Sequence, residues 1–377
     1  MHGRPRQPKG VPENPEKLQA SQKRIALYSR LATEVLNRRA AKQYDQESLK
    51  LAGKLLEQNP ELYTIWNYRR EALQNKLQGS DGPEAAQAAA RQELQLTQAA
   101  LGRNPKSYGS WHHRKWVIQM RLVSLDDELN LVKQLLMADS RNFHGWAYWR
   151  FLCNFMGLSA EDQEPYVLGK IEENFSNYSA WHARTSVLQH LNAERPTLSL
   201  AELLAADSKG AAAPANPSHK DSATTEPLPG HVLQQEYELV RNAFYTEPHD
   251  QSSWLYLRWL IGNSLARWER AKGSSAEAAA TQTLEAVLEE QAQMCQDILQ
   301  MEEQASLGVE DKSGQKWPLL TLARLREVQH QMTKSADSLC QEAQHVYGTL
   351  IDIDPLRRGY YMDAMQGKAA QVTTSSI

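Results

Sequence analysis

The stretch Asn104-Pro105-Lys106-Ser107-Tyr108-Gly109-Ser110-Trp111-His112-His113-Arg114-Lys115-Trp116-Val117 decides the fold, because its skeleton recurs along the chain. Aligned on tryptophan, the copies centre on Trp66, Trp111, Trp146, Trp181 and Trp254, at steps of 45, 35, 35 and 73 residues. Each has an Asx-Pro-like turn seven and six places before the Trp and an Arg three or four places after it, and most have an aromatic three before. Such a pattern identifies a repeat protein, in which neighbouring copies share one core.

Working outward from the joints, the residue before a proline is pushed away from helical geometry and proline suits a helix's first turn, so each Asn-Pro predicts a helix-turn-helix joint. Apolar positions at Ile25, Leu27, Tyr28, Leu31, Val35 and Leu36 recur at three and four, the period of an amphipathic helix starting near Lys17. Further helices are expected over 49–56, 92–101, 128–137, 232 onward, 276–301, 317–328 and 339–351. The expected class is all-α, a right-handed solenoid of antiparallel helical hairpins. Asp354-Pro355 with Tyr361 in the Trp slot reads as a degenerate sixth copy that caps the array. Trp111 with Arg114, like Trp66 with Arg69 and Trp181 with Arg184, shares a helix face, so the guanidinium is expected along the indole or at a neighbouring carbonyl. Burying one Trp removes ~150–250 Å² from water, an upper bound of ~4–6 kcal/mol each, which explains the five anchors by packing alone.

Domain organisation follows from composition along the chain. Residues 1–16 form a basic, Pro-rich arm; 17–193 hold the first four copies; 194–231 are a low-complexity insertion, solvated between Asp207 and Gly230; 232–365 carry the remaining repeats and capping helices; 366–377 are a flexible tail. Lys plus Arg number 42 against 45 Asp plus Glu, a net charge of -3 that gives no reason to expect nucleic acid or an anionic membrane. Cys153, Cys295 and Cys340 are scattered, no signal peptide opens the chain, and no apolar run reaches the ~20 residues of a membrane span. A cytoplasmic setting is expected, with the sequons at Asn174 and Asn177 incidental.

No Gly-rich phosphate loop, His-Glu-x-x-His, Cys-x-x-Cys or Gly-x-Ser-x-Gly occurs, so a complete active site in this chain alone is not expected. His112 and His113 lie about 100° apart on a helix and cannot face one metal. Five places before each Trp stand Glu61, Lys106, Arg141, Ser176 and His249; only the second and third copies put a fixed cation there, ahead of a helix whose amides also favour an anion. Tyr108 adds a hydroxyl and His144 follows Arg141. These four are the candidate anion site, expected on the concave side.

The Trp-centred copies, the opening Met1-His2-Gly3-Arg4 and the run Ile353-Asp354-Pro355-Leu356-Arg357-Arg358 resemble the α subunits of protein prenyltransferases, nearest those of Rab geranylgeranyltransferase, over residues 17–365. The resemblance implies a crescent wrapped around a β subunit that holds a catalytic Zn2+, with no cofactor in this chain. It also implies geranylgeranyl diphosphate as donor, and Rab GTPases presented by their escort protein as acceptors at C-terminal cysteines. Lys106 and Tyr108 match groups that act on the diphosphate, Arg141 and His144 groups from the next repeat. His2 would be able to visit the partner's zinc. Departures are Trp149, where the third copy would carry Arg, and Leu257 before Arg258 in the fifth. The absence of immunoglobulin-like and leucine-rich segments implies the compact form found in fungi. The rival readings are the α subunit shared by farnesyltransferase and type I geranylgeranyltransferase, and a helical scaffold without catalytic role.

Overall fold

Each tryptophan of the repeat makes the same hydrogen bond. Its indole Nε1 donates to the backbone carbonyl six residues earlier: Trp66 to Pro60 (2.8 Å), Trp111 to Pro105 (2.9 Å), Trp146 to Ser140 (2.8 Å), Trp181 to Phe175 (2.7 Å) and Trp254 to Pro248 (2.8 Å). All five are buried, at most 4% exposed. The ring thus supplies apolar area while its one polar atom ties off the turn that precedes the helix.

The structure is a computed structural model and describes residues 15–78, 82–192, 226–305, 312–333 and 337–368. The described residues hold fifteen α-helices and no strand: α1 Pro15–Ala40, α2 Gln46–Gln58, α3 Tyr63–Gln78, α4 Gly82–Arg103, α5 Tyr108–Gln119, α6 Leu125–Ala138, α7 Phe143–Met156, α8 Ala160–Glu173, α9 Tyr178–Asn192, α10 Gly230–Thr246, α11 Gln251–Ala271, α12 Glu277–Ala305, α13 Lys316–Thr333, α14 Asp337–Ile353 and α15 Arg358–Met365. It is an all-α helical-repeat solenoid, as the pattern predicts. The chain divides into two compact units after Gly157. In the first, α2/α3, α4/α5 and α6/α7 pack as hairpins behind α1, with α3, α5 and α7 in contact along one layer. In the second, α8/α9 and α10/α11 carry the fourth and fifth Trp copies, followed by α12/α13 and α14/α15.

At the joints, Asn59, Asn104 and Asn174 each accept the backbone N–H two residues on, closing an Asx turn. The next helix starts not at the proline but at the aromatic three before the Trp, because the residue ahead of it is the cap. Ser107, Asn142 and Asn177 accept from the N–H three residues on, at Ser110, Gly145 and Ala180. Pro60 and Pro105 therefore lie in the turn rather than in a first helical turn.

The Arg expectation holds for the neighbouring carbonyl at Arg69 and Arg114 but misses the main partner. The guanidiniums of Arg69, Arg114 and Arg184 do not lie along their own indoles but take bidentate ion pairs with buried Glu93, Glu128 and Glu236 of the following copy, at 2.5–2.8 Å. Carbonyls complete two of the sets, Leu49 for Arg69 and Leu94 for Arg114. A carboxylate also takes a ring donor twenty residues later: His113 on Glu93, Tyr148 on Glu128, Tyr256 on Glu236 and Tyr347 on Glu327. Trp149, standing for the third Arg, is buried and packs edge-on to Trp146 at 5.6 Å.

Other expectations shift as well. The hairpin α12/α13 intervenes before Tyr361, so the Tyr361 copy is the seventh hairpin rather than the sixth. Tyr361 is fully buried in the Trp slot, its hydroxyl donating to Asp354 Oδ2 at 2.8 Å. Most of the insertion lies outside the described residues, as do residues 1–14, His2 among them, and 369–377, whereas Pro15 and Glu16, expected in the arm, open α1. Its last turn is not solvated: Leu228 is buried, its N–H donates to Asn263 Oδ1 and its carbonyl accepts from Arg267. One large apolar side chain at the edge of a polar run is enough to anchor the chain there, and α10 starts two residues earlier than expected.

Candidate functional site

The site is assembled at the N-terminal ends of α5 and α7, within the first unit. Capping by Ser107 and Asn142 fixes where these helices begin, so Tyr108 and Phe143 are their first residues. Gly109 then fixes how closely α5 approaches the first copy: a Cβ there would stand 2.5 Å from the Pro60 carbonyl and 2.9 Å from Trp66 Nε1. Only glycine lets α5 sit against the hydrogen-bonded Trp66 turn.

Of the four candidate residues, Tyr108 and His144 touch, and Lys106 acts on His144 through its charge. The Tyr108 ring meets the His144 ring edge to face, with centroids 4.5 Å apart. Phe143 closes the other side of the imidazole at 5.2 Å. Burial pushes His144 below its ordinary pKa; Glu61 opposes this while Lys115 and Lys106 reinforce it, so all three charges act on the same imidazole. His144 is thus a neutral donor or acceptor near pH 7. Lys106 itself is exposed in the turn, and Tyr108, the first residue of α5, is 60% exposed. Arg141 is also exposed, and no hydrogen bond or ion pair joins it to the other three. The structure therefore gives a lysine, a phenol and a neutral imidazole beside helix N-terminal amides, which is a chemistry for holding an oxyanion.

Sequence reasoning missed the scaffold of this site. Glu128 binds Arg114 of α5 and, at 2.8 Å, the Tyr148 hydroxyl of α7, so it ties together the two helices that present Tyr108 and His144. His113, adjacent to exposed His112, is buried between Trp66 (4.6 Å) and Trp116 (5.6 Å) and pairs with Glu93 at 2.9 Å. It is a packing residue. Among the described residues no group of three or more His, Cys, Asp or Glu gathers as a metal site, and no helix is long and apolar enough to cross a membrane.

The profile of the protein prenyltransferase alpha subunit repeat matches residues 45–76, 90–121, 125–156, 165–191 and 233–264, the five Trp copies. A prenyltransferase-type α repeat protein is the class that these hairpins define. The chain is similar to the geranylgeranyl transferase type-2 subunit alpha of Schizosaccharomyces pombe, 36% identical over 260 residues that cover 67% of this chain and 68% of that one. It resembles the Candida albicans protein of the same name at 29% identity over 94% of both chains. The Rattus norvegicus protein matches at 35% identity over 70% of this chain, which spans only 42% of that relative's length. Among solved structures, Candida albicans protein geranylgeranyltransferase-I, complexed with GGPP, has a similar fold, with a TM-score of 0.55 at 18% identity over 98% of this chain and 96% of that one. This chain belongs to the family of geranylgeranyl transferase type-2 α subunits.

Proposed function

We propose that this chain is the α subunit of a heterodimeric, cytoplasmic Rab geranylgeranyltransferase, and that its Lys106, Tyr108 and His144 stabilise the diphosphate leaving group of geranylgeranyl diphosphate. Its acceptors are C-terminal cysteines of Rab GTPases presented by their escort protein. The β subunit carries the Zn2+, which when bound supplies a thiolate from the substrate cysteine. As the thiolate sulfur bonds to C1 of the isoprenoid, the C1–O bond breaks and its electron pair moves onto the diphosphate. Negative charge then grows where Lys106 donates. The Tyr108 hydroxyl adds a neutral donor and His144 holds the phenol ring in place. One charge pair at ~4 Å with an effective dielectric of ~20 is worth ~4 kcal/mol, so Lys106 supplies up to roughly a thousandfold in rate.

The observation that carries this reading is the packing of Tyr108 on His144 with Lys106 in electrostatic reach, in a chain of this family. Arg141, unconnected to the trio, has a lesser part. The test is prenyl transfer to a Rab–escort complex by this chain co-expressed with a type-2 β subunit, with Lys106→Ala beside wild type and assembly checked by size-exclusion chromatography. A fall in turnover of about a hundredfold or more in an intact heterodimer is expected. Unchanged turnover would reduce the chain to a scaffold, and pairing instead with a farnesyltransferase β subunit would move it to the shared α-subunit class.

A further inference from the structure

Four places after each Trp of the first unit stands a cation: Arg70 on α3, Lys115 on α5 and Arg150 on α7. All three are half-buried, and among the described residues no carboxylate pairs with any of them. The companions of Arg70 and Lys115 are rings and one amide. Arg70 lies over Trp116 of the next helix at 5.5 Å and touches Asn67 Oδ1 at 3.4 Å, while Lys115 lies over Phe151 of the next helix at 5.2 Å. A ring face attracts a cation without neutralising it. Burial lowers the pKa of each, and Arg150 lowers that of Lys115 further. This contrasts with Arg69, Arg114 and Arg184, every one of which has its buried glutamate. A row of partly desolvated, like-charged groups without counter-ions is costly in the free chain and calls for anions from outside.

We propose that Arg70, Lys115 and Arg150 form a docking stripe for a row of carboxylates on the partner subunit. The inference rests on the α-subunit reading. Helices in contact lie ~8–10 Å apart, so the stripe from α3 through α5 to α7 runs ~16–20 Å, far longer than a diphosphate. A nucleic acid is disfavoured because Trp116 and Phe151, the rings on which bases would stack, are already covered by the cations. An acidic protein edge fits both the length and the occupied rings. Lys106 stands at the helix start, ahead of the stripe, and keeps its separate task.

The test measures the dissociation constant of the full chain for a type-2 β subunit between 50 and 300 mM salt, with wild type, Arg70→Gln/Lys115→Gln/Arg150→Gln and Lys115→Arg, and kcat at saturating β subunit. The triple variant is expected to bind roughly tenfold or more weakly at low salt and to lose most of the salt dependence, with Lys115→Arg close to wild type. Equal affinity and salt slope in the triple variant overturns the stripe. So does a fall in kcat with affinity kept, which would assign these cations to the diphosphate. Salt-dependent binding of a poly(U) oligonucleotide by wild type, lost in the triple variant while β-subunit affinity is unchanged, overturns it in favour of nucleic acid. Failure of wild type to pair with the β subunit removes the α-subunit reading itself, a result separate from all of these.

Discussion

Replacing Glu128 by Ala tests whether the buried ion pairs set the geometry of the site. Glu128 is 5% exposed and Arg114 2% in their side chains. The carboxylate takes Arg114 Nε at 2.5 Å, the second guanidinium nitrogen at 2.8 Å and the Tyr148 hydroxyl at 2.8 Å. Its removal leaves Arg114 with neutral acceptors only, the Leu94 carbonyl and Thr97 Oγ1. Breaking a buried pair from one side costs ~3–5 kcal/mol, a large share of the ~5–15 kcal/mol that holds a folded protein. Because one unfolding step does not describe a repeat array, the assay is amide hydrogen exchange in α5 and α7 of the full chain. At about 1.4 kcal/mol per factor of ten, exchange there should quicken by roughly two to three powers of ten. Glu71→Ala, which breaks the half-exposed Arg39 pair, should cost no more than ~1 kcal/mol. Arg114→Met/Glu128→Leu, which removes both charges, should return near wild type. Less than tenfold acceleration in Glu128→Ala, or a double variant as damaged as the single, would refute the argument that an uncompensated buried cation is the cause.

Two further outcomes follow from the same layer of packing. Gly109→Ala should destabilise α5 locally by ~1–3 kcal/mol, read by amide hydrogen exchange, and lower transfer activity by moving Tyr108, because the added carbon meets a backbone carbonyl; unchanged exchange would show that α5 can retreat freely. His113→Gln should blunt acid sensitivity. Burial keeps His113 below its ordinary value of 6.5, so the unfolded chain takes up that proton first and stability falls as pH drops below about 6.5. Glu93 follows the same direction lower down: although burial alone would raise it, His113 and Arg69 bring it from 4.5 to about 2, so its contribution is present above 4.5 and lost as pH falls towards 2. Stability should fall more steeply in wild type than in His113→Gln as pH drops just below 6.5; parallel curves throughout would rule His113 out as the upper titrating group.

The repeat was legible because its determinants are local. Trp111, the carbonyl of Pro105 and the Asn104 turn lie within seven residues, so one hydrogen-bonded motif leaves one readable string. The ion pairs were not, because the distance along the chain from each Arg to its carboxylate varies: 24 residues for Arg69, 14 for Arg114 and 52 for Arg184. The sequence does hold a fixed spacing that would have found them, the twenty residues from each buried Glu to the His or Tyr that binds it. Of the candidate site, Lys106 stands out by its charge against Glu61 and Ser176, whereas Tyr108 shares its place with Tyr63 and Tyr178 and is singled out only by lying beside Lys106. The pairing of Tyr108 with His144 needed the register of α5 against α7, and the missing contact of Arg141 needed the same knowledge.

Within one chain, the copies separate packing from function by where they agree. The five Trp copies all keep the Trp and its carbonyl because each of those hairpins must be closed and stacked, whatever the chain does. Positions facing outward at the helix starts carry no such demand, so a change there from Glu61 to Lys106 alters charge at small cost in packing. The third copy shows the same freedom from the opposite side. It gives up the buried Arg for Trp149, yet Tyr148 still binds Glu128, so α7 stays tied to α6 and His144 stays against Tyr108. A solenoid can thus place different chemistry on successive rungs while one closing motif recurs, and here the two rungs with a fixed cation ahead of the helix, Lys106 and Arg141, are the ones whose helices Glu128 locks together.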